Sequence, residues 1–320
     1  MLLSICIPTY NRCVFLRKTL ASIVAQNAWK SGEVEIVVSD NKSTDETPQV
    51  IAEFAGLFPE RIRSFRHGEQ LHPHDNFEFA LRLGQGRFRK LNNDTLVWRE
   101  QMLGEYLQLI ENNLDADVIL TPNCRLAGAY GKKSFICRNL NDILDNCSYF
   151  ITWIGGIAFR DEPFLALKEP SRNKENALTQ TDMVLRLAAE GKKVLVDGRI
   201  FFESLPVPNK TMVSLLRVFS CNFLEMIGDY VPEKIDRKCF SRCKKSLLYE
   251  YLIPTYFDFF KTAPQMKRPD YWECTKYYHR NYYFYTSFIR VFFLKIITAV
   301  FSYHTIHKIK NILCHEGREK

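Results

Sequence analysis

Apolar and polar positions switch between two periods along the first two thirds of the chain. Leu2 to Pro8 is a compact apolar run that predicts a buried strand, and after the polar break "TYNR" the residues Val14 to Val24 carry apolar side chains at helical spacing. "EVEIVVS", Glu33 to Ser39, predicts a second strand that runs into "DNKSTDET", where Ser43 or Thr44 is placed to cap a helix over Thr47 to Phe54. "RIRSFRHG" reads as a third strand, Asn76 to Leu83 as a helix, and "RFRKL" as a fourth strand that ends at Asn92. A helix over Arg99 to Asn112 and the strand "ADVILTP" follow. Strands alternating with helices of this length predict an α/β fold, a largely parallel sheet with helices on both faces.

In such sheets ligands bind beyond the carboxyl ends of the strands. The polar segments "TYNR", "DNKSTD" and "NND" all fall at those ends, so three separate turns are expected to converge on one edge of one sheet. The stretch from Asn123 to Asn146 is less regular. "SYFITWIGGIAFR" then brings aromatic residues, a glycine pair and a strand-like finish; "ALTQTDMVLRLAAEG" reads as a capped helix closing at Gly191, and "KKVLVDGRIFF" as one or two strands. Beyond Pro206 the pattern turns helical, aromatic and basic, which divides the chain into residues 1–205 and 206–320. There are no internal repeats, no low-complexity tract and no GxGxxG.

Charge sharpens that division. Residues 1–203 carry 25 Lys and Arg against 26 Asp and Glu, whereas residues 204–320 carry 19 against 10, so the net +8 belongs to the C-terminal third. Such an excess suits an anionic lipid, an anionic substrate or nucleic acid. No nucleic-acid recognition motif accompanies it, and no nucleic acid is expected as a partner. The ten cysteines are scattered without a CxxC pair, which predicts reduced thiols in a cytoplasm; Cys239 and Cys243, one helical turn apart, lack the further ligands of a zinc site. "MLLSICIPTYN" has no basic n-region and no small-residue cleavage site, so no signal peptide is expected.

Taken together, "ICIPTYNR" on the first strand, "EIVVSDNKSTDET" on the second, "KLNNDTL" after the fourth and "TQTDMVLRLAAEG" later resemble family 2 glycosyltransferases with the GT-A fold. The nearest resemblance is to bacterial enzymes that build capsular, O-antigen or exopolysaccharide repeat units. Its implications are specific. Pro8, Thr9, Tyr10 and Asn11 would form the loop that meets the nucleotide, with Asp40 accepting hydrogen bonds from base or ribose, and Arg12 and Arg66 approaching the phosphates. Asn92, Asn93 and Asp94 occupy the place of the acidic motif that holds Mg²⁺ or Mn²⁺ against the diphosphate, with Asn93 on the nucleotide and Asp94 and Asn92 toward the metal. An amide in place of a second acid predicts poor metal binding without the donor. Asp182 would deprotonate the acceptor hydroxyl of an inverting transfer, and Trp153, Gly155 and Gly156 would shape the sugar pocket.

Each assignment has a plainer counterpart: a loop after a strand for "PTYN", a capping acid for Asp40, a solvated face for Arg66, an Asx-type turn for Asp94, a helix-dipole acid for Asp182, and a core indole for Trp153. His72 and His74 flank a proline and are expected as surface imidazoles. A sugar nucleotidyltransferase would need a Gly-rich, basic triphosphate loop that "PTYNRCVF" lacks. A non-catalytic protein that binds a nucleotide sugar or scaffolds a membrane assembly stays open.

From Tyr277 to Tyr303 the chain is dense in Tyr, Phe and Ile, and Arg290 and Lys295 interrupt it before the roughly 20 residues of a spanning helix are reached. This pattern predicts either a helix lying in the interface of the inner membrane face or a subdomain packed on the catalytic domain. The expected partners are therefore a nucleotide-sugar donor and a saccharide or polyprenyl-diphosphate acceptor, with peripheral membrane contact.

Overall fold

Every residue of β1 (Leu3–Thr9) and β2 (Val34–Asp40) is buried. Such unbroken runs are what parallel strands covered on both faces require. The computed structural model describes residues 1–121, 134–207 and 217–252. In it, β1 and β2 are followed by β3 (Ile62–Arg66), β4 (Phe88–Leu91), β5 (Leu96–Trp98), β6 (Val118–Leu120), β7 (Ser134–Cys137), β8 (Ile157–Arg160), β9 (Val194–Asp197) and β10 (Phe202–Ser204). Eight strands form one sheet in the order β3-β2-β1-β4-β8-β6-β9-β7, and β5 pairs with β10 in a small separate ribbon. The strands from β3 to β4 run parallel, while β8 inserts antiparallel between β4 and β6, and β7 lies antiparallel on β9. The sheet is therefore mixed beyond β4.

The helices are α1 (Cys13–Val24), α2 (Thr47–Leu57), α3 (Pro73–Leu83), α4 (Met102–Glu111), α5 (Leu140–Cys147), α6 (Asp161–Ala166), α7 (Thr179–Ala189), α8 (Phe223–Gly228) and α9 (Arg237–Leu247). Because side chains alternate across a strand, β1 sends Leu3, Ile5 and Ile7 into one buried cluster with α1, α2 and α4, and Cys6 into the other. That second cluster also contains Leu140, Met183, Phe223, Cys239, Cys243 and Leu247, so the helices of residues 217–252 share the core of the sheet's far half. The segment Tyr277 to Tyr303, and with it the membrane-contact expectation, lies outside the described residues.

Two expectations about helix starts are corrected. Neither Ser43 nor Thr44 caps α2; Ser43 Oγ instead accepts from Asn11 N at 2.9 Å, and Asp45 Oδ1 accepts from Thr47 N at 2.9 Å. The start of α7 carries no side-chain cap. The first turn of α1 is satisfied from outside: Arg12 N donates to Thr47 Oγ1 and Cys13 N to Asp45 Oδ2, each at 3.1 Å. The loops after β1 and β2 are thereby sewn together, because unpaired N–H groups at a helix start must find acceptors.

Candidate active site

The strand order reverses between β1 and β4, and ligands of open α/β sheets bind at such a switch point. There the structure opens a cleft of about 320 Å³ lined by Pro8, Thr9, Tyr10, Arg12, Asn41, Gln70, Pro73, Asn76, Phe77, Asn93, Asp94, Thr95, Ile154 and Val207. The three turns singled out in the sequence thus meet around one space.

The floor is the turn from β4 to β5. Asp94 accepts a hydrogen bond from Thr9 Oγ1 at 2.9 Å, and its backbone carbonyl accepts from Thr19 Oγ1 at 2.8 Å, so the turn is fixed to β1 and α1. Burial raises the Asp94 carboxyl to about 6, with the Thr9 hydrogen bond and the Arg12 charge pulling the other way. Asn93 lines the cleft beside it.

Asn92 is different. It is fully buried; its Oδ1 accepts from Lys90 Nζ at 3.2 Å, and its Nδ2 donates to Asn93 O at 2.9 Å and Leu96 O at 3.2 Å. The expectation that Asn92 ligates a metal is therefore corrected: the amide faces inward and holds the turn. Lys90 itself is buried, donating also to Gly155 O at 2.9 Å and Leu91 O at 3.2 Å, with Nζ 4.0 Å from the Phe202 ring centre. Burial pulls its pKa well below the ordinary lysine value.

The loop after β1 divides its labour. Pro8, Thr9, Tyr10 and Arg12 reach the cleft. Asn11, in the left-handed region at φ 50°, instead accepts from Thr44 N at 2.7 Å through Oδ1 and braces the loop after β2. Asp40 is 1% exposed; Oδ1 accepts from Ser43 N at 2.9 Å, while Oδ2 lies 3.4 Å from Arg66 Nε and makes no hydrogen bond. Arg66 is more than half exposed and donates to Ser43 O at 2.8 Å, so it stands at the rim rather than in the lining.

Several lining residues were not singled out from the sequence. Asn41 exchanges two hydrogen bonds with the backbone of Leu71, at 2.9 and 2.8 Å, and so pins the segment that carries Gln70. Asn76, on the first turns of α3, donates to Ser39 O at 3.2 Å and accepts from Ser39 Oγ at 2.6 Å, with His67 Nε2 3.1 Å away. An asparagine beside an apolar helical stripe was the available signal, and it reads equally as a surface position. His74 is buried, not a surface imidazole; it packs edge-on against Phe77 at 4.8 Å, and burial lowers its pKa to about 4. His72 caps α3, accepting from His74 N at 3.3 Å.

The glycine pair serves close packing. A Cβ on Gly156 would lie 2.1 Å from Thr121 O, and one on Gly155 would lie 2.8 Å from a Leu96 methyl. Trp153 lies against this pair and lines a void of about 20 Å³ on the other side of the turn; Ile154 is the residue that reaches the cleft.

Asp182 sits on the first turn of α7 and is fully buried. Arg172 donates to both of its oxygens at 2.9 and 2.8 Å, and Asn173 Nδ2 donates to Oδ1 at 2.8 Å. It is absent from the cleft lining. The segment bearing Arg172 rests on α3 through Lys174 Nζ to Asp75 Oδ2 at 2.8 Å, while Gln180 and Thr181 donate to the carbonyls of Thr152 and Ile151. The helix that bears Asp182 is thus tied to the segment leading to Ile154, and the segment that clamps Asp182 is tied to α3. Among the described residues no group of three or more His, Cys, Asp or Glu side chains could hold a metal; Asp94 is the carboxylate in the cleft lining.

Residues 4–154 match the family described as Glycosyl transferase family 2. An uncharacterized protein of Mycobacterium tuberculosis is 26% identical over 36% of this chain and 33% of its own length. The abequosyltransferase RfbV of Salmonella typhimurium is 38% identical over 28% of this chain and 26% of its own length. The chain therefore spans a third or less of the curated relatives it matches. Among solved structures, S. aureus TarS 1-349 in complex with UDP-GlcNAc superposes with a TM-score of 0.58 at 16% identity, over 86% of this chain and 79% of that one. The mannosyltransferase PcManGT of Pyrobaculum calidifontis, in complex with GDP-Man and Mn²⁺, gives 0.54 at 15% identity, over 85% and 83%. Sequence match and fold agree: residues 4–154 match glycosyltransferase family 2, and the chain has the GT-A fold.

Proposed function

We propose that the chain is an inverting glycosyltransferase that moves a sugar from a nucleoside-diphosphate donor to a hydroxyl of a saccharide or polyprenyl-diphosphate acceptor in bacterial surface polysaccharide synthesis. The observation that carries this is the cleft at the β1/β4 switch point, in which the loop after β1 and Asp94 face one space. TarS and PcManGT, which share the fold, were solved with UDP-GlcNAc and with GDP-Man and Mn²⁺. UDP is the default carrier on family grounds.

In this reading Tyr10, Asn41 and Gln70 bound the base and ribose, with the unbonded Oδ2 of Asp40 behind them as a further acceptor. Arg12 offers its guanidinium to the phosphates, and Arg66 stands at the rim for the same charge. One carboxylate suffices to hold a hard cation whose other ligands are phosphate and water; bound at Asp94, Mg²⁺ or Mn²⁺ would supply positive charge for the departing diphosphate. Asp182 is assigned to the acceptor proton. Asp182 is fully buried behind Arg172 and Asn173, with Arg186 3.7 Å from Oδ2, so these side chains must move before an acceptor hydroxyl comes within the hydrogen-bond reach a base needs. That clamp, with the missing second acid, favours the second reading of a non-catalytic nucleotide-sugar-binding or membrane scaffold protein.

Calorimetric titration with UDP, GDP, CDP and dTDP, each with and without Mn²⁺, tests the proposal. Binding of one, strengthened by Mn²⁺, supports it; binding of none removes the donor site. Turnover of the matching sugar nucleotide then separates the enzyme from the scaffold.

A further inference from the structure

We infer that Lys90 is the positioning residue of this site, tying the turn that carries Asp94 to the Gly155 turn across the cleft floor. The inference rests on the nucleotide reading above and adds to it a residue that no acidic motif contains.

A single metal-facing carboxylate has to be aimed by its surroundings, because sites lose function when their geometry loosens by about 0.5 Å. Where two acids share a cation, the cation itself helps hold them. Here the second acid position is Asn92, which is turned inward. What it meets there is the Lys90 ammonium, whose three N–H donors find Asn92 Oδ1 at 3.2 Å, Leu91 O at 3.2 Å and Gly155 O at 2.9 Å. The count is that of a protonated lysine, and these three acceptors oppose the burial that pulls its pKa down. A neutral amine would turn a lone pair toward one of those oxygens.

The fourth side of the ammonium is aromatic. Phe202 lies 4.0 Å and Trp98 5.6 Å away, ring centre to Nζ, and those two residues face each other across the β5–β10 ribbon with their rings 4.5 Å apart. Among the described residues no carboxylate is ion-paired with Lys90. A charge buried at this cost is held by oriented dipoles and π faces instead. The same contacts fix both ends of the floor: Asn92 bonds the carbonyls of Asn93 and Leu96 on either side of Asp94, and Gly155 is the neighbour of the cleft residue Ile154. Loss of the ammonium would strip Asn92 Oδ1 and the Gly155 carbonyl of their shared donor together, leaving the turn that aims Asp94 held only by the Thr9 and Thr19 bonds and the Asn92 Nδ2 pair.

The experiment is calorimetry of the full chain and of Lys90→Met against whichever of UDP, GDP, CDP and dTDP the wild type binds, in Mn²⁺ and in EDTA. The expected result is selective: affinity in Mn²⁺ falls at least tenfold, while affinity in EDTA, set by Tyr10, Asn41 and Gln70, changes less than about twofold. A generally loosened fold would lower both arms alike, and an unchanged ratio of the two arms overturns the inference even if the melting temperature drops. Where the methionine variant does not fold, Lys90→Gln keeps two N–H donors and is read the same way, with a smaller selective loss expected. Wild-type binding that ignores Mn²⁺ also overturns it. Wild-type binding of none of the four overturns the nucleotide reading itself, a different failure.

Discussion

Asp94 and its two neighbours show how much depends on which way one side chain points. Asn92→Asp, which restores an acid to the motif by sequence, would place a carboxylate against Lys90 and form a buried ion pair. It should leave the Mn²⁺ dependence of nucleotide affinity within about twofold. Asn93→Asp adds a carboxylate in the cleft itself and should strengthen that dependence several-fold; calorimetry of the pair checks both. Asp94 also links function to stability. Its folded pKa of about 6 lies above the ordinary carboxyl value of 3.8, so its favourable contribution is complete below pH 3.8 and is lost as pH rises through 6. Above that pH, Asp94→Asn should raise the stability of the ligand-free protein by roughly 2 kcal/mol while erasing the Mn²⁺ effect, as thermal melts at pH 5 and 8 would show. At Asp182 the expected outcome of Asp182→Asn is unaltered nucleotide affinity with transfer abolished. Transfer at near wild-type rate would remove it as the base.

At the scale of elements, α3 carries the cleft wall and a buried imidazole on the same first turns. His74 has a folded pKa of about 4 against 6.5, so its contribution is complete above pH 6.5 and is lost as pH falls through 4, by up to about 3 kcal/mol. Acidification should therefore loosen the wall formed by Pro73, Asn76 and Phe77, and the protection factors of the α3 amides, corrected for intrinsic exchange at each pH, should fall less between pH 7 and 4.5 in His74→Leu than in the wild type. The parallel strands β1 to β4 and their polar ends were legible in the sequence because continuous apolar runs and Asx-rich turns are local signals. The reversed direction of β8 was not, since "IAFR" looks alike in either direction and only its neighbours β4 and β6 decide. The inward turn of Asn92 was hidden for a similar reason: it depends on Lys90 and on Gly155, 65 residues further along. Asn41 and Asn76 became visible as lining residues only once the chain had folded them beside Tyr10.

At the scale of the whole molecule, the basic excess of the last third remains the strongest argument for contact with anionic lipid. Removal of residues 277–320 should shift the protein from membrane to soluble fractions without altering nucleotide affinity. Among the described residues no helix is long and apolar enough to cross a membrane.

The strand order carries a consequence for synthesis. Of the strands of this sheet β1 comes earliest in the chain, and it lies between β2 and β4; the cleft it borders also needs Ile154 and Val207. A nascent chain emerging N-terminus first can pair β1 with β2 early, yet β4 cannot gain its outer neighbour until β8 has left the ribosome. Throughout the translation of residues 92–156, between Leu91 and Ile157, β4 is an open edge next to the future cleft. A ribosome stalled before residue 157 should thus display a chain with two stably paired inner strands and an adhesive flank, the stage at which holding chaperones have most to do.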